Sequence, residues 1–233
     1  EALEQGDVLF AAKNFNIVEN LYPQSIWASR SVLMAAYSYY SQDYYGDAIS
    51  EAKKFLRNYP ANQNVAYAYF LLGICYYELI VDEKKDLSPL LNSKKYFNIV
   101  INEYPNTDFA LDAKFKLDLI ANVLASKEVY IGKYYISRKK WIPAINRFKN
   151  VVNNYEKTEY VEEAIHRLVE INYMIGLESE AKKYATLLGY NYQSSEWYIE
   201  SYRVFNKNYE NPKEKIKKEK QNVLIRNFKK LFK

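Results

Sequence analysis

The chain has 233 residues, which is enough for one large domain or for a continuous array of repeats with a substantial core. Almost half of the residues are apolar and 17% are aromatic, a composition that excludes general disorder. The formal net charge of +5 is unevenly distributed: the stretch from Arg203 onward holds eleven basic and three acidic residues, a net +8, whereas the preceding part holds 22 basic and 25 acidic residues, a net −3.

A short phrase, Asn-Tyr-Pro or a close variant, returns four times along the chain. Each copy follows an amphipathic run and ends it, because proline cannot continue a helix and biases the residue before it away from helical angles. The copies are Leu21-Tyr22-Pro23, Asn58-Tyr59-Pro60, Glu103-Tyr104-Pro105 and Asn154-Tyr155-Glu156. This recurrence indicates tandem helical repeats.

The residues between these phrases follow the tetratricopeptide pattern, in which small residues and an aromatic of helix A meet an alanine and a bulky residue of helix B. Three units match it: Ala35, Ala36, Tyr39, Ala48 and Phe55; Leu72, Gly73, Tyr76 and Phe97; and Ile131, Gly132, Tyr135, Ala144 and Phe148. Partial units flank them, with Ala11 and Phe15 before and residues 162–193 after. The sequence therefore predicts an all-α, tetratricopeptide-like helical-repeat superhelix of about five repeats.

Two stretches depart from the regular spacing. Residues 81–91 are rich in charge and contain a proline, which predicts an exposed loop. Residues 107–137 contain nothing that breaks a helical pattern, so we expect one long linking helix of about 30 residues, roughly 45 Å in length. Gly6 and Gly46, each followed by an aspartate, are predicted to lie in turns, and Gly189 is predicted to end a helix.

The sequence shows no sign of catalytic or metal-binding chemistry. The single cysteine, Cys75, lies in an apolar run without a neighbouring base, which predicts a buried small hydrophobe. The only histidine, His166, has no second histidine or thiol nearby in the sequence, which favours an ordinary histidine on a helix face. All six glycines have structural explanations, and none remains for a phosphate-binding loop. We therefore predict a protein that is not an enzyme and has no metal or cofactor.

Three phrases go beyond a generic repeat. They are Gln5-Gly6-Asp7 through Leu21-Tyr22-Pro23; Ala48-Ile49 and Phe55-Leu56-Arg57-Asn58-Tyr59-Pro60 through Asn64-Val65-Ala66-Tyr67-Ala68-Tyr69; and Tyr134-Tyr135 followed by Trp141-Ile142-Pro143-Ala144-Ile145-Asn146-Arg147. The third is the most specific. Over residues 6–202 the chain resembles the BamD family, helical lipoproteins of the outer-membrane β-barrel assembly machinery of Gram-negative bacteria.

The resemblance implies a non-enzymatic subunit that recognises unfolded outer-membrane proteins through their C-terminal signal. It also implies docking to the barrel-forming subunit and to a companion lipoprotein, at the periplasmic face of the outer membrane, with a lipid on an N-terminal cysteine. Because the chain shows neither an initiator methionine nor such a cysteine, we expect the anchor on a segment before Glu1. The alternative is a generic tetratricopeptide adaptor or co-chaperone scaffold. A nucleic-acid binder would need more than a basic C-terminal stretch.

We expect three parts: N-terminal repeats for client recognition (1–106), the long helix with C-terminal repeats for partner docking (107–202), and a basic, partly amphipathic tail (203–233). In the tail, a helix beginning at Pro212 would place Leu224, Phe228 and Leu231 on one face, as a candidate for an anionic membrane surface or a partner groove. A solvated tail is the alternative.

The client site is predicted from helical spacing. Positions two, five, nine and twelve of each helix A share one face beside the packing face. In the second unit these positions hold Arg30, Leu33, Tyr37 and Tyr40, and in the third they hold Tyr67, Phe70, Ile74 and Tyr77. The stacked units would then line a concave surface with Tyr37, Tyr40, Tyr67, Phe70 and Tyr77. Aromatic rings suit client signals that end in an aromatic residue. The alternative is that these rings form the core between repeats.

The docking site is predicted from the third phrase, with Tyr134, Tyr135 and Arg147 as its binding residues. The neighbours of Arg147 three and four residues away are not acidic, so its own helix offers no ion pair. We expect its guanidinium to pair with a carboxylate of the barrel-forming subunit. A solvated arginine, or one held between repeats, is the alternative.

Overall fold

The computed structural model describes residues 6–80 and 86–207, and this part of the chain contains ten α-helices and no strand. The helices are α1 (Val8–Leu21), α2 (Ile26–Tyr40), α3 (Tyr45–Asn58), α4 (Val65–Glu78), α5 (Ser88–Glu103), α6 (Asp108–Ser137), α7 (Trp141–Asn154), α8 (Val161–Met174), α9 (Glu178–Asn191) and α10 (Glu196–Phe205). The predicted all-α repeat fold is confirmed. The helix predicted to begin at Pro212 lies outside the described residues.

The chain divides into two compact units, unit 1 (Glu1–Leu124) and unit 2 (Ala125–Lys233), and the boundary falls inside α6. This helix is continuous over 30 residues, which confirms the predicted long helix. The hydroxyl of Thr107 accepts a hydrogen bond from the backbone N–H of Ala110 at 3.3 Å and so caps the first turn of α6. Among the described residues, no helix is long and apolar enough to cross a membrane.

A tyrosine ends each helix that precedes a new repeat. The five tyrosines have φ between −130° and −135°, and each backbone N–H donates to the carbonyl four residues earlier; they are Tyr22, Tyr59, Tyr104, Tyr155 and Tyr192. Tyr155 adopts this geometry although Glu156 stands in the place of proline, and Tyr192 provides a fifth copy that was not predicted. The tyrosine, rather than the proline, is thus the constant part of the turn.

The turn inside a repeat is the same in three repeats. In each, the last turn residue donates its N–H to a carbonyl five residues back: Tyr44 to Tyr39, Lys140 to Tyr135 and Leu177 to Asn172, at 2.8–3.0 Å. The residue before it has positive φ, at Asp43 (64°), Lys139 (55°) and Gly176 (82°). This is the hydrogen-bond pattern of a Schellman C-cap, in which a left-handed residue ends the helix.

Of the three predictions about glycine positions, one is confirmed and two are wrong. Asp7 caps α1 as predicted, because its Oδ1 accepts from the N–H of Phe10 at 3.1 Å. The prediction for Gly46 is wrong: α3 begins at Tyr45, so Gly46 lies in its first turn. The prediction for Gly189 is also wrong, because it lies inside α9 and a Cβ there would come 2.9 Å from Tyr198, which makes it a packing position.

Glycine allows close helix contact at two equivalent places, as the repeat pattern predicts. A Cβ on Gly73 would lie 2.5 Å from the ring of Phe97, and a Cβ on Gly132 would lie 2.5 Å from the ring of Phe148. Both phenylalanines are fully buried. Each ring therefore fills the space that the missing side chain leaves.

The predicted loop at residues 81–91 is shorter than expected. Helix α5 already begins at Ser88, with Pro89 in its first turn, where the missing N–H is harmless. Leu90 is buried, at 1% exposure, and it anchors that turn in the core of unit 1. The part of the predicted loop at residues 81–85 lies outside the described residues. Cys75 is buried as predicted, and burial raises its thiol pKa to about 12.

His166 is more enclosed than a histidine on an exposed helix face. It is buried between α8 and α10, with Nδ1 2.9 Å from the Ser201 hydroxyl and Nε2 3.5 Å from a Glu170 oxygen. Its ring lies on Trp197, with the ring centroids 5.0 Å apart. Burial alone would raise the pKa of Glu170, but hydrogen bonds from His166 and Arg167 lower it. This cluster fixes α10 to α8.

A buried ion pair joins α1 to α3 in unit 1. The Glu19 side chain is only 8% exposed, and its Oε2 lies 2.5 Å from Nζ of Lys54. Asn58 and Tyr59 also donate to Glu19 Oε1, at 3.3 and 3.5 Å. Burial lowers the pKa of Lys54, but Glu19 and Glu51 outweigh this effect, so that its pKa is raised. The ammonium group therefore stays charged in the interface.

Candidate binding grooves

An apolar cavity of about 450 Å³ lies between α1 and α2. Its lining residues are Phe15, Val18, Trp27, Arg30, Ser31 and Met34. The indole of Trp27 is 56% exposed, although tryptophan is usually more buried than this. Ser31 donates its hydroxyl hydrogen to the carbonyl of Ala28 at 2.8 Å, so this hydroxyl is already used within α2.

A second cavity of about 320 Å³ adjoins the first on the surface of α2. It is lined by Arg30, Leu33, Met34, Tyr37, Asn64 and Tyr67. Arg30 and Met34 border both cavities, and we call the two together the Arg30 groove. Because the two cavities share Arg30 and Met34, they form one continuous surface along α2.

Arg30 is the cationic group of this groove. Its guanidinium carbon lies 5.7 Å from the centre of the Trp27 ring, a distance at which the ring attracts a cation. Within residues 6–80 and 86–207, no carboxylate lies close enough to form an ion pair with it. The groove therefore combines an apolar wall with a guanidinium that no carboxylate of the described residues neutralises.

The structure brings only some of the predicted client-site aromatics together. Tyr37 and Tyr67 line the same cavity. Burial, together with the nearby hydroxyls of Tyr37 and Tyr40, raises the pKa of Tyr67 to about 12. Tyr40 packs beside Tyr45, with the ring centroids 6.1 Å apart. Tyr37 and Tyr67 therefore line one cavity, whereas Tyr40 is not among its lining residues.

The other two aromatics have partners inside unit 1. The Phe70 ring lies between Phe97 and Phe109, with centroid distances of 5.9 and 5.4 Å, so it packs as part of the interior. Nζ of Lys116 on α6 lies 4.3 Å from the centre of the Tyr77 ring and covers it. For Phe70 the geometry follows the alternative of a core between repeats.

Sequence reasoning missed most of the first cavity. Helical spacing placed Arg30 on the predicted face but did not include Trp27 and Met34, although they stand three and four positions from Arg30 and so share its side of α2. Phe15 and Val18 come from α1, and only the contact between the two helices shows that they complete the cavity.

Unit 2 contains a polar groove of about 440 Å³ between α6 and α7, which we call the Arg147 groove. Its lining residues are Glu128, Tyr135, Pro143, Asn146, Arg147 and Asn150. Pro143 stands in the first turn of α7, and four of the six residues come from that helix. The contact of Gly132 with Phe148 sets the register of the two helices and so fixes the groove between them.

Arg147 has a carboxylate partner within the chain. Its Nη1 donates to both carboxylate oxygens of Glu128 at 3.2 Å. The Arg147 side chain is nevertheless 41% exposed, whereas Glu128 is 17% exposed. Only the neighbours of Arg147 on α7 can be identified from local spacing, and its partner stands on α6. Arg147 is thus held within its own repeat, which is neither a solvated arginine nor one held between repeats, and part of its guanidinium is still accessible.

The predicted binding residues Tyr134 and Tyr135 have different surroundings. Tyr135 lines the Arg147 groove, whereas Tyr134 is 52% exposed, with Arg138 over its ring at 5.5 Å. The two rings meet edge to face, 5.9 Å between centroids. Burial, and to a lesser degree Glu128, raises the pKa of Tyr155, which packs on the same core of unit 2. The lining of the Arg147 groove therefore combines polar side chains with the aromatic ring of Tyr135.

No metal centre is formed by the described residues, in which no group of three or more histidine, cysteine, aspartate or glutamate side chains is placed to hold a metal ion.

Comparison with known proteins identifies the family. A family model described as "YfiO: Outer membrane lipoprotein" matches residues 1–187. The outer membrane protein assembly factor BamD of Rickettsia prowazekii is 42% identical over 201 residues, which is 86% of this chain and 80% of that protein. BamD of Caulobacter vibrioides is 38% identical over 208 residues, covering 89% of this chain and 68% of that protein. BamD of Neisseria gonorrhoeae is more distant, at 29% over 183 residues.

These matches cover both units and nearly all of the residues that form the two grooves. They confirm the resemblance that the three sequence phrases predict. The chain therefore belongs to the YfiO family of outer membrane lipoproteins.

Proposed function

We propose that the chain is a non-enzymatic subunit of the outer-membrane β-barrel assembly machinery, which binds unfolded outer-membrane proteins in the Arg30 groove and docks to the barrel-forming subunit through the Arg147 groove. Its family and the names of its relatives support a role in outer membrane protein assembly and an association with the outer membrane. We place it at the periplasmic face, held by an N-terminal lipid and joined by a companion lipoprotein.

The observation that carries the client proposal is the guanidinium of Arg30, which pairs with no carboxylate among the described residues. A polypeptide that ends in an aromatic residue offers a ring for the apolar cavity and a carboxylate for the guanidinium. A hydrogen bond between charged groups contributes about 1.5–3 kcal/mol, which is more than a neutral one. Tyr37 and Tyr67, in the adjoining cavity, are positioned to pack on the residues that precede the chain end.

We expect Arg30→Gln to weaken binding of a ten-residue peptide ending in phenylalanine by about tenfold or more, because the terminal carboxylate loses its partner. The same peptide with an amidated C-terminus should bind the wild type and the variant equally, and isothermal titration calorimetry measures both. Arg57→Gln is the matched control, since Arg57 is exposed on α3 and lies outside the groove. If Arg30→Gln lowers the affinity equally for the acid and amide peptides, Arg30 does not bind the terminal carboxylate.

The observation that supports the docking proposal is that Arg147 is paired on one side and accessible on the other. A carboxylate of the barrel-forming subunit can bind the Arg147 guanidinium together with Glu128 or in its place. We expect Arg147→Gln to weaken docking about tenfold or more, and Glu128→Gln to strengthen it, because the second change removes the competing carboxylate. Surface plasmon resonance with the purified barrel-forming subunit measures both.

The decisive result of this second test is that Arg147→Gln and Glu128→Gln change the docking affinity in opposite directions. Asn150→Ala changes the groove without a charge and serves as the control. If Glu128→Gln weakens docking as much as Arg147→Gln does, the pair serves to shape the groove, and a partner carboxylate at Arg147 is excluded.

A further inference from the structure

Six basic residues and no acidic residue lie within residues 129–155, which include the end of α6 and all of α7. Two of the six are paired with glutamates outside this stretch: Lys133 with Glu163, and Arg147 with Glu128. The other four form no ion pair within the described part of the chain; they are Arg138, Lys139, Lys140 and Lys149. The α6–α7 hairpin therefore carries positive charge that the described fold does not neutralise.

Three of these unpaired cations are consecutive and form the turn between α6 and α7. They are Arg138, Lys139 and Lys140, all exposed, and we call them the basic turn. The guanidinium carbon of Arg138 lies 5.5 Å from the centre of the exposed Tyr134 ring, which attracts the cation but does not neutralise it. Adjacent like charges repel one another, so the basic turn does not stabilise the fold through its own charges.

The geometry of the turn does not require basic residues. The α2–α3 and α8–α9 turns have the same hydrogen bonds and the same positive-φ position. The equivalent residues of these two turns include no cation; they are Gln42, Asp43 and Tyr44 in the first, and Ile175, Gly176 and Leu177 in the second. A cation interacts favourably with the C-terminus of a helix, but α2 and α8 end in the same turn without one.

Lys139 is unfavourable for the backbone of the turn. Its φ is 55°, in the left-handed region, where a residue with a Cβ is disfavoured and glycine is the usual choice. Gly176 takes the same position in the α8–α9 turn, with φ 82°. A lysine that the fold disfavours at this position favours a role for its charge outside the fold.

The chemistry of the basic turn suits phosphate groups on a fluid surface. The ammonium group of lysine is a compact point charge, whereas a carboxylate held by a protein is best matched by the planar fork of an arginine. Two of the three cations are lysines, and the third is the arginine that lies over Tyr134. An apolar side chain stands beside them, since Ile142 in the first turn of α7 is 72% exposed. Cations next to exposed aromatic and apolar side chains are the combination that binds anionic bilayers.

We propose that the basic turn binds the anionic headgroups of a lipid bilayer, with Tyr134 and Ile142 at the headgroup level. Tyrosine favours that level because its ring is apolar and its hydroxyl is polar. The family of outer membrane lipoproteins, to which the chain belongs, supports the presence of such a surface next to the protein. The contact lies outside the Arg30 and Arg147 grooves and goes beyond the functions proposed for them.

The test uses the full chain and vesicles of phosphatidylethanolamine with phosphatidylglycerol, at the ionic strength at which half of the wild type is bound. We expect Arg138→Gln/Lys139→Gly/Lys140→Gln, the turn variant, to reduce vesicle binding about tenfold or more, because three cations leave the anionic surface. Glycine suits the positive φ of position 139, so the turn variant should be at least as stable as the wild type in urea. A loss of binding then does not come from unfolding. Neutral phosphatidylcholine vesicles should bind the wild type more weakly than the anionic ones.

The matched control removes the same residue types from scattered exposed positions of unit 1. It is Lys13→Gln/Arg57→Gln/Lys94→Gln, with one change on each of α1, α3 and α5. This control should lose no more than about twofold, because separated charges far from the bilayer are screened. Both variants keep the basic sequence from residue 208 onward, so its contribution is the same in each. If the control loses as much binding as the turn variant, only net charge matters and the proposal is overturned.

A positional readout shows which part of the surface meets the bilayer. Ile142→Cys, labelled with the environment-sensitive fluorophore NBD, should shift its emission to the blue on anionic vesicles. Gly46→Cys, at the equivalent position of the α2–α3 turn, should not. The native Cys75 is buried with a thiol pKa of about 12 and does not compete for the label. No shift at position 142, or binding of the turn variant like that of the wild type, overturns the proposal.

An acidic protein surface is the other class of partner that the basic turn could bind. Surface plasmon resonance with the purified barrel-forming subunit separates the two, since Arg147 and Glu128 are unchanged in the turn variant. We expect the turn variant to dock like the wild type. If it keeps vesicle binding and loses docking, the turn binds protein and the lipid proposal is overturned, whereas failure of the Arg147 test leaves the vesicle result untouched.

Discussion

Lys54→Met is expected to lower the free energy of unfolding of unit 1 by about 3 kcal/mol, as measured by urea denaturation. The substitution leaves the buried Glu19 carboxylate without its cation, and removal of one partner of a buried ion pair typically costs about 3–5 kcal/mol. The lower end applies here because Asn58 and Tyr59 still donate hydrogen bonds to Glu19.

Lys53→Met is the matched control. Lys53 is the preceding residue, but it is exposed and its Nζ donates to the hydroxyl of Tyr76 at 2.9 Å. Loss of that contact should cost about 1 kcal/mol or less. The double variant Glu19→Leu/Lys54→Met should recover part of the lost stability, because an apolar pair of similar volume often replaces a buried ion pair without penalty. Recovery is incomplete because Glu51 Oε2, 3.5 Å from Lys54 Nζ, still loses its cation. Equal effects of the two lysine substitutions would contradict a buried ion pair between α1 and α3.

Phe148→Ala is expected to destabilise unit 2 by about 3–5 kcal/mol, because a fully buried ring leaves a cavity in the core. The more informative result comes from Gly132. In the wild type, Gly132→Ala should cost about 1–3 kcal/mol, since its Cβ would lie 2.5 Å from the Phe148 ring. In the Phe148→Ala background the same change should be neutral or stabilising, because the space is empty and alanine favours the helix by about 1 kcal/mol.

Gly46→Ala is the control for this cycle. Nothing lies within 4 Å of a Cβ at Gly46, and its φ is not positive. The change should therefore stabilise the chain by up to about 1 kcal/mol through helix propensity alone. Urea denaturation of the wild type, of Gly132→Ala, of Phe148→Ala and of the double variant gives the coupling energy between Gly132 and Phe148. If Gly132→Ala has the same effect with and without the Phe148 ring, the two positions are not in the proposed contact.

The repeats could be predicted because their determinants are close in sequence. Gly132, Tyr135, Ala144 and Phe148 stand at fixed spacing along two consecutive helices, so the pattern predicts which residues meet. The length of α6 was predictable for the same reason, since no residue in it interrupts the helix. The prediction that Gly46 lies in a turn was wrong because the sequence does not show which residue takes positive φ. In the α2–α3 turn this residue is Asp43.

The grooves could be predicted only in part. Helical spacing placed Tyr37 and Phe70 on corresponding faces of α2 and α4, but it did not show that Phe109 of α6 covers Phe70. Likewise, the ion pair of Arg147 with Glu128 joins residues 19 positions apart on different helices. Such contacts depend on the register between helices, which is set by the packing of whole faces and not by local spacing.

The pairing of Arg147 with Glu128 has a consequence for how the two proposed sites respond to salt. In the proposed docking, a partner carboxylate replaces Glu128 at Arg147, so the number of ion pairs at Arg147 is the same before and after, and ionic strength affects both states alike. The proposed client binding at Arg30 creates an ion pair that the described residues do not form in the free protein, so dissolved ions compete with it directly. The subunit contact would then persist over a range of ionic strength within which the client is released.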